Sequence, residues 1–485
     1  MLALYALHIL GWVAPLGMAE LESIREIQAA SPARTVTAAR QCAPGPRAPS
    51  PGCAPASVPL CVVALDRGTT RVRITDASRR ACLDKAQLVE RDLLPLSDDV
   101  LRAGPPSPVA FSAHEDVHCR LQPRPEQGGS LKFRCMRTNA ANQLYDEDGD
   151  LIPAAVSVDA DGHLLDAQGG KIRDEGGNAL EGDELRVKYF VGREPEARYR
   201  EMFTETVVSR LFWALGIPVD HVYMPASVRC LGCTANPFGQ AAPTPSPTPE
   251  VFRLASVERP LQGKRISVPR DKGPFGLGGK YDHGFGFDEI GQLLPGLPDS
   301  RRVEAEVMAI ALNIVAYNNT HSYQNDLVCR KGKWDKVSGA CAEVVAYVAD
   351  VGGTLGGVRA FMIKGAEQPA MRWYPRGDYV TLTQGMVFLH EGTCTLRYRI
   401  GAVGNVSEAA REAMDARIRG RIGREQLRII FEAASIQHME KQVNDLVASQ
   451  YRLRPGPELD RGVQLLWADE MLGRLHEVLT ARCPG

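Results

Sequence analysis

The stretch NNTHSYQND (Asn318–Asp326) closes a helix-like run, and YVADVGG (Tyr347–Gly353) follows shortly after it. The apolar run VVAYVA leading into Asp350-Val351-Gly352 predicts a strand that delivers a carboxylate at its end. A carboxylate so placed can hold a divalent metal that bridges phosphate groups. By itself Asp-x-Gly is also an ordinary turn pattern, so its meaning depends on what surrounds it. A catalytic acid belongs in the polar stretch ahead of such a metal ligand, but asparagine, threonine and histidine stand there instead.

Immediately upstream, RVEAEVMAIALNIVAY (Arg302–Tyr317) predicts a mostly apolar helix with Val303, Val307, Ile310 and Ile314 on its buried face. Farther back, ELRVKYF alternates as a strand, placing Lys188 on the face opposite Leu185, Val187 and Tyr189. A helix over Glu201–Leu215 follows, with Phe203, Val207, Leu211 and Leu215 on one face and Gly216 placed to stop it. Glu205 lies a turn into that helix. A strand lysine paired with a helix glutamate is how kinase-like folds position nucleotide phosphates, whereas a strand lysine alone reads as a solvated side chain. The order of parts is glycine-containing hairpin, strand Lys188, helix Glu205, apolar helix, polar loop and Asp350. It is the order of a bilobal kinase-like fold.

The 485 residues are enough for two or three domains, and Lys plus Arg (57) nearly balance Asp plus Glu (58), which gives no sign of a nucleic-acid-binding groove. Residues 1–19 are apolar and end in small residues, as a signal peptide does, although no basic residues precede them; a buried N-terminal helix is the competing reading. No later run is long enough for an integral membrane segment. The twelve cysteines favour disulfides in an oxidising compartment, with zinc at Cys230 and Cys233, completed by Cys329 and Cys341, as the alternative. Pro44–Pro59 reads as a linker. Within an acidic, glycine-rich insertion at 136–184, DEDGD, DADGH and DEGGN fit tight hairpin turns. A calcium loop fits less well, since Leu151 and Ser157 occupy the positions that need glycine and glutamate. A C-terminal amphipathic helix is expected from Ser407 to about Ser449, capped by Ser407 and burying Leu427, Ile430, Phe431 and Ala434.

GGSLKFRC, RVKYF, ETVVSRLFWALGIPVDHVYMPASVRCLGC, FRLASVERPLQGK, LVC, YVADVGGTLGG and SEAAREAMDARI resemble successive signatures of a poorly characterised bacterial family. Its members are exported and carry a protein-kinase-like fold, distantly HipA-like or phosphoinositide-kinase-like. The resemblance spans Phe111 to the C-terminus, outside the acidic insertion. It implies that Lys188 contacts phosphates, Glu205 is its ion-pair partner and Asp350 is a metal ligand. It also implies a second loop ligand at Gln324 or Asn325, and family roles for Cys119, Cys135, Cys230, Cys233, Cys329, Cys341 and Cys394. Related sequences place an Asp-x-Lys segment about ten residues before the equivalent of Cys329; here that position holds Asn319. An aspartate there accepts the hydroxyl proton and orients the nucleophile, which an asparagine cannot do as a base. His321 could take over that role or support the loop.

The expected fold is α+β, a two-lobed protein-kinase-like domain behind a small mixed N-terminal region. Its expected parts are a signal peptide at 1–19, an N-terminal region with linker at 20–110, an N-lobe at 111–250 and a C-lobe with C-terminal helices at 251–485. The expected function is an exported protein binding ATP and Mg or Mn, periplasmic or secreted, with impaired or altered phosphoryl transfer to an unknown protein or small-molecule acceptor. The alternatives are a non-catalytic, disulfide-stabilised pseudokinase acting as a binding protein and, for location, the cytoplasm.

Overall fold

Seven strands bury one apolar face in a common core. In a computed structural model these are β1 (Asp116–Gln122), β2 (Lys132–Thr138), β3 (Glu184–Tyr189), β4 (His221–Tyr223), β5 (Ser227–Leu231), β6 (Glu250–Phe252) and β7 (Ala255–Arg259). They form one sheet in the order β6-β5-β1-β2-β3-β7-β4, antiparallel except for the parallel pair β5/β1. The structure describes residues 61, 66–67, 70–71, 76–105, 110–112, 114–122, 131–159, 162–175, 177, 179–189, 199–266, 268–272, 278–287, 289–290, 298–315, 317, 325–335, 339–352, 354, 387–388, 393–401, 403–434 and 471–483. The expectations for residues 1–60 and for Asn319, His321 and Gln324 lie outside these.

Strand alternation separates an apolar face from a charged one. Leu185, Val187 and Tyr189 join Phe133, Val228, Phe252 and Val257 in one core cluster, where the rings of Phe133, Tyr189 and Phe252 meet at 5.0–5.5 Å. On the other face the register aligns Lys132, Lys188 and Ser256 in one row, and Arg134, Arg186 and Glu258 in the next.

Helix α3 (Tyr199–Leu215) follows β3, after the short helices α1 (Asp76–Lys85) and α2 (Asp98–Ala103). Sequence periodicity suggested one buried face. The structure instead buries Thr204 through Ile217 almost without a break, Trp213 alone being half-buried, because α3 has the sheet on one side and helices on the other. Gly216, at φ +70°, ends it in a Schellman arrangement: Gly216 N–H donates to Trp213 O and Ile217 N–H to Phe212 O. Arg417 Nη1 donates to Leu215 O at 3.0 Å and supplies positive charge where the helix dipole favours it.

A second sheet joins β8 (Gly263–Ile266), β9 (Asn325–Arg330) and β10 (Val344–Val348), all antiparallel. Single parallel bridges from Gln87 and Val219 extend β10. The apolar helix α4 (Asp299–Ile314) leads towards β9, and every residue from Ala305 to Ile314 is buried. Arg474, in a helical stretch at 471–480, donates to Asn313 O and Ile314 O and so caps the end of α4 that runs into the polar loop. The described part of the expected long C-terminal helix is two helices, α5 (Glu408–Ile418) and α6 (Arg424–Ala434), interrupted where Gly420 takes φ +71°; the rest of that expectation, 435–449, lies outside the described residues. Ser407 caps α5, its Oγ accepting from Ala410 N–H at 3.3 Å.

In the insertion the same turn recurs. The N–H groups of Gly149, Gly162, Gly169 and Gly177, all at positive φ, donate to the carbonyls of Asp146, Asp159, Asp166 and Asp174. Asp146 Oδ1 accepts from the N–H groups of Asp148 and Asp150, an Asx-turn use of the acidic residue. Leu144 and Leu164, with Ile152, Ile172 and Leu180, bury a small core of their own against Met136. Pro59–Gly485 form one compact unit, and no described helix is long and apolar enough to cross a membrane.

Candidate functional site

The strand alternation that buries Val187 turns Lys188 towards α3, where Glu205 meets it. Lys188 Nζ and a Glu205 carboxylate oxygen form an ion pair with only 4% and 2% of the two residues exposed. This excludes the solvated-lysine reading. A second carboxylate stands beside the same ammonium: Glu258 Oε2, from β7, lies 3.7 Å from Lys188 Nζ. Arg186 pairs with the other Glu258 oxygen, and Arg134 with Glu184. Burial pushes the Glu258 carboxyl up, but Arg186 and Lys188 outweigh it and hold it below the usual range.

Asp350 lies two residues beyond β10, half-buried, with Oδ1 accepting from Gly352 N–H at 3.2 Å. Asn325 opens β9 opposite Val348, so the sheet register brings its backbone near the strand end that leads to Asp350. Its side chain is buried and its Oδ1 accepts from the Tyr317 hydroxyl at 3.1 Å.

Further charged groups line the junction of the two sheets. Asp326, opposite Tyr347, pairs with Arg265 at 2.6 Å and accepts from the Tyr347 hydroxyl at 3.2 Å. Burial pushes Asp220 well above the usual carboxylate range, and the charge of Glu258 adds to it; its Oδ1 accepts from Leu261 N–H at 3.1 Å. Burial, then Asp220 and Asp326, likewise raise Tyr347. Sequence reasoning missed Glu258, Arg186 and Asp220. The usable signal was the alternation in ASVER, which puts Ser256 and Glu258 on one face of a strand.

Asp350 is the carboxylate that the sequence offers as a metal ligand, and it is half-buried just beyond β10. Among the described residues no group of three or more His, Cys, Asp or Glu side chains is arranged to hold a metal. Mg is characteristically held by one or two carboxylates together with substrate phosphates and water, which is what a half-buried Asp350 on a strand end can offer.

The described cysteines close into pairs: Cys61–Cys82, Cys119–Cys135, Cys230–Cys233, Cys329–Cys341 and Cys394–Cys483. Cys230 and Cys233 bond to each other, and Cys329 and Cys341 bond on the second sheet. Cys42 and Cys53 lie outside the described residues.

Compared with known proteins, the chain matches no protein-family model and no curated protein in sequence. Among solved structures it is similar to the proinflammatory kinase CtkA of Helicobacter pylori, at 11% identity over 76% of this chain and 100% of that one, with a TM-score of 0.35. It is also similar to HipA of Shewanella oneidensis MR-1, from a toxin–antitoxin complex with HipB and operator DNA. That match has 12% identity over 74% of this chain and 66% of that one, with a TM-score of 0.25.

Proposed function

We propose that this chain is an exported, disulfide-stabilised kinase-like protein that binds ATP with a divalent metal, and that its phosphoryl transfer is impaired or altered. The observation that carries this reading is the buried ion pair between Lys188 on a strand and Glu205 on the following helix. A buried ion pair is a poor source of stability, because desolvation offsets its attraction. A role for the ammonium is the better account of a charge buried there. In this role Glu205 holds Lys188 in place and Lys188 contacts phosphate oxygens, while Asp350, helped by Gln324 or Asn325, holds the metal. The metal, when bound, neutralises charge on the phosphates. Asn319 occupies the position of the expected base, and His321 is the nearest alternative proton acceptor in sequence. Export is supported by the five disulfides, which persist in oxidising compartments.

The test is a thermal-shift titration with Mg-ATP on wild type, Lys188→Met and Asp350→Ala. A ligand at about 100 times its Kd adds ~2.7 kcal/mol to the folded state, so wild type should shift upward by several degrees and both variants much less. No shift for wild type at saturating Mg-ATP would remove the nucleotide reading. Phosphate transfer by wild type and Asn319→Asp then separates enzyme from pseudokinase. A gain in the variant identifies the missing base, and nucleotide binding without transfer in either protein supports the non-catalytic reading.

A further inference from the structure

Lys188 lies between two carboxylates, and they hold it unequally. Glu205 is in direct hydrogen-bond contact, whereas Glu258 Oε2 stands 3.7 Å away and Glu258 Oε1 is taken by Arg186. Glu258 is 2% exposed and faces Arg186 directly across the β3/β7 register, so it cannot swing into water. Within the innermost quartet of Arg186, Lys188, Glu205 and Glu258 the formal charges cancel, while Lys132 and Arg134 on the same face add positive charge farther from Glu258. Phosphates brought to Lys188 would upset that balance and place negative charge next to Glu258 in a buried setting, where like charges repel strongly.

We propose that Glu258 is a resident competitor of the nucleotide's phosphates for Lys188, a built-in electrostatic brake that lowers nucleotide affinity. Phosphates and Glu258 then share one ammonium while Glu205 keeps its hold. Arg186 makes the exchange feasible, since it continues to satisfy Glu258 after Lys188 turns to the ligand. The inference rests on the nucleotide reading of the site and assigns to it a residue that weakens binding. Glu258 acts through Lys188 and is a positioning residue.

The experiment measures binding of Mg-ADP and of adenosine, by calorimetry, to the full chain as wild type, Glu258→Gln and Glu258→Asp. Removing the like charge should tighten Mg-ADP roughly tenfold or more in Glu258→Gln. Glu258→Asp keeps the negative charge but shortens its reach by one methylene and so draws it farther from Lys188, and it should tighten Mg-ADP by a smaller factor. Adenosine, which has no phosphate, should bind all three proteins alike. Each variant is checked for folding by its circular dichroism, and either one alone can decide the question. If wild type binds Mg-ADP and neither variant binds it more tightly, the brake is overturned while the nucleotide reading stands. Parallel tightening of adenosine would also overturn it, because the pocket rather than the charge would have changed. If wild type and both variants bind neither ligand, the nucleotide reading itself falls and takes the brake with it.

Discussion

At the scale of single residues, the site is a set of buried charges whose costs depend on partners. Glu205→Ala removes the carboxylate in direct contact with buried Lys188, so urea unfolding should show a loss of roughly 3 kcal/mol, near the low end for a broken buried pair. The double change Lys188→Met with Glu205→Leu should recover most of that loss, because no buried charge is then stranded. pH acts through two groups with opposite signs. Burial, with Arg259 adding to it, holds His221 down to about 4. The folded form therefore keeps His221 neutral while the unfolded chain takes up a proton near pH 6.5, and stability is lost as pH falls from about 6.5 through 4. This group accounts for at most ~3 kcal/mol of that loss, and His221→Gln should flatten the urea midpoint over this range. Asp220 is raised, so its burial costs stability once pH exceeds the ordinary carboxylate value. Asp220→Asn removes that cost while preserving an acceptor for Leu261 N–H, and should raise the urea midpoint at pH 7. Lys188 and Glu205 were legible in the sequence because they sit on consecutive elements. Arg186 and Glu258, 72 residues apart, were not.

Secondary-structure elements here are stopped by local signals and held by distant arginines. Arg210 reaches Leu101 O and Arg102 O at the end of α2, Arg417 reaches the end of α3, and Arg474 the end of α4. Burial lowers Arg210 to about 10, still charged at neutral pH. Gly216 lets α3 end without strain, and a Cβ there would run into Leu93 and the Arg417 guanidinium. Gly216→Ala combines a left-handed backbone with that crowding and should cost roughly 2 kcal/mol or more, read from the urea midpoint. The α3 stop was legible, since glycine after an apolar-periodic run is a local signal. The break between α5 and α6 carries the same kind of local signal in Gly420, but amphipathic periodicity continues on both sides of it and masks the stop. The all-round burial of α3 depends on helices that come some two hundred residues later in the chain.

For the whole molecule, the disulfides set how firmly its parts are tied. Cys394–Cys483 spans 89 residues and fastens the region beyond α4 to the helical stretch that carries Arg474, whereas Cys230–Cys233 spans only 3. Loop-closure entropy gives the long link about 4.6 kcal/mol and the short one about 1.6 kcal/mol. Calorimetry should therefore find a much larger fall in unfolding temperature for Cys394→Ser/Cys483→Ser than for Cys230→Ser/Cys233→Ser; equal falls would show that loop length does not govern these links. The sequence by itself determined strand alternation, helix stops, the excess of cysteine and the order Lys188, Glu205, Asp350, because each is written in short-range periodicity or chain order. Only the tertiary structure decided which cysteines join and that Lys188 is shared by two carboxylates. It also decided that the acidic turns bond to their own backbone. Those outcomes depend on strand register and on burial, which bring distant residues within reach and remove the water that would otherwise satisfy them.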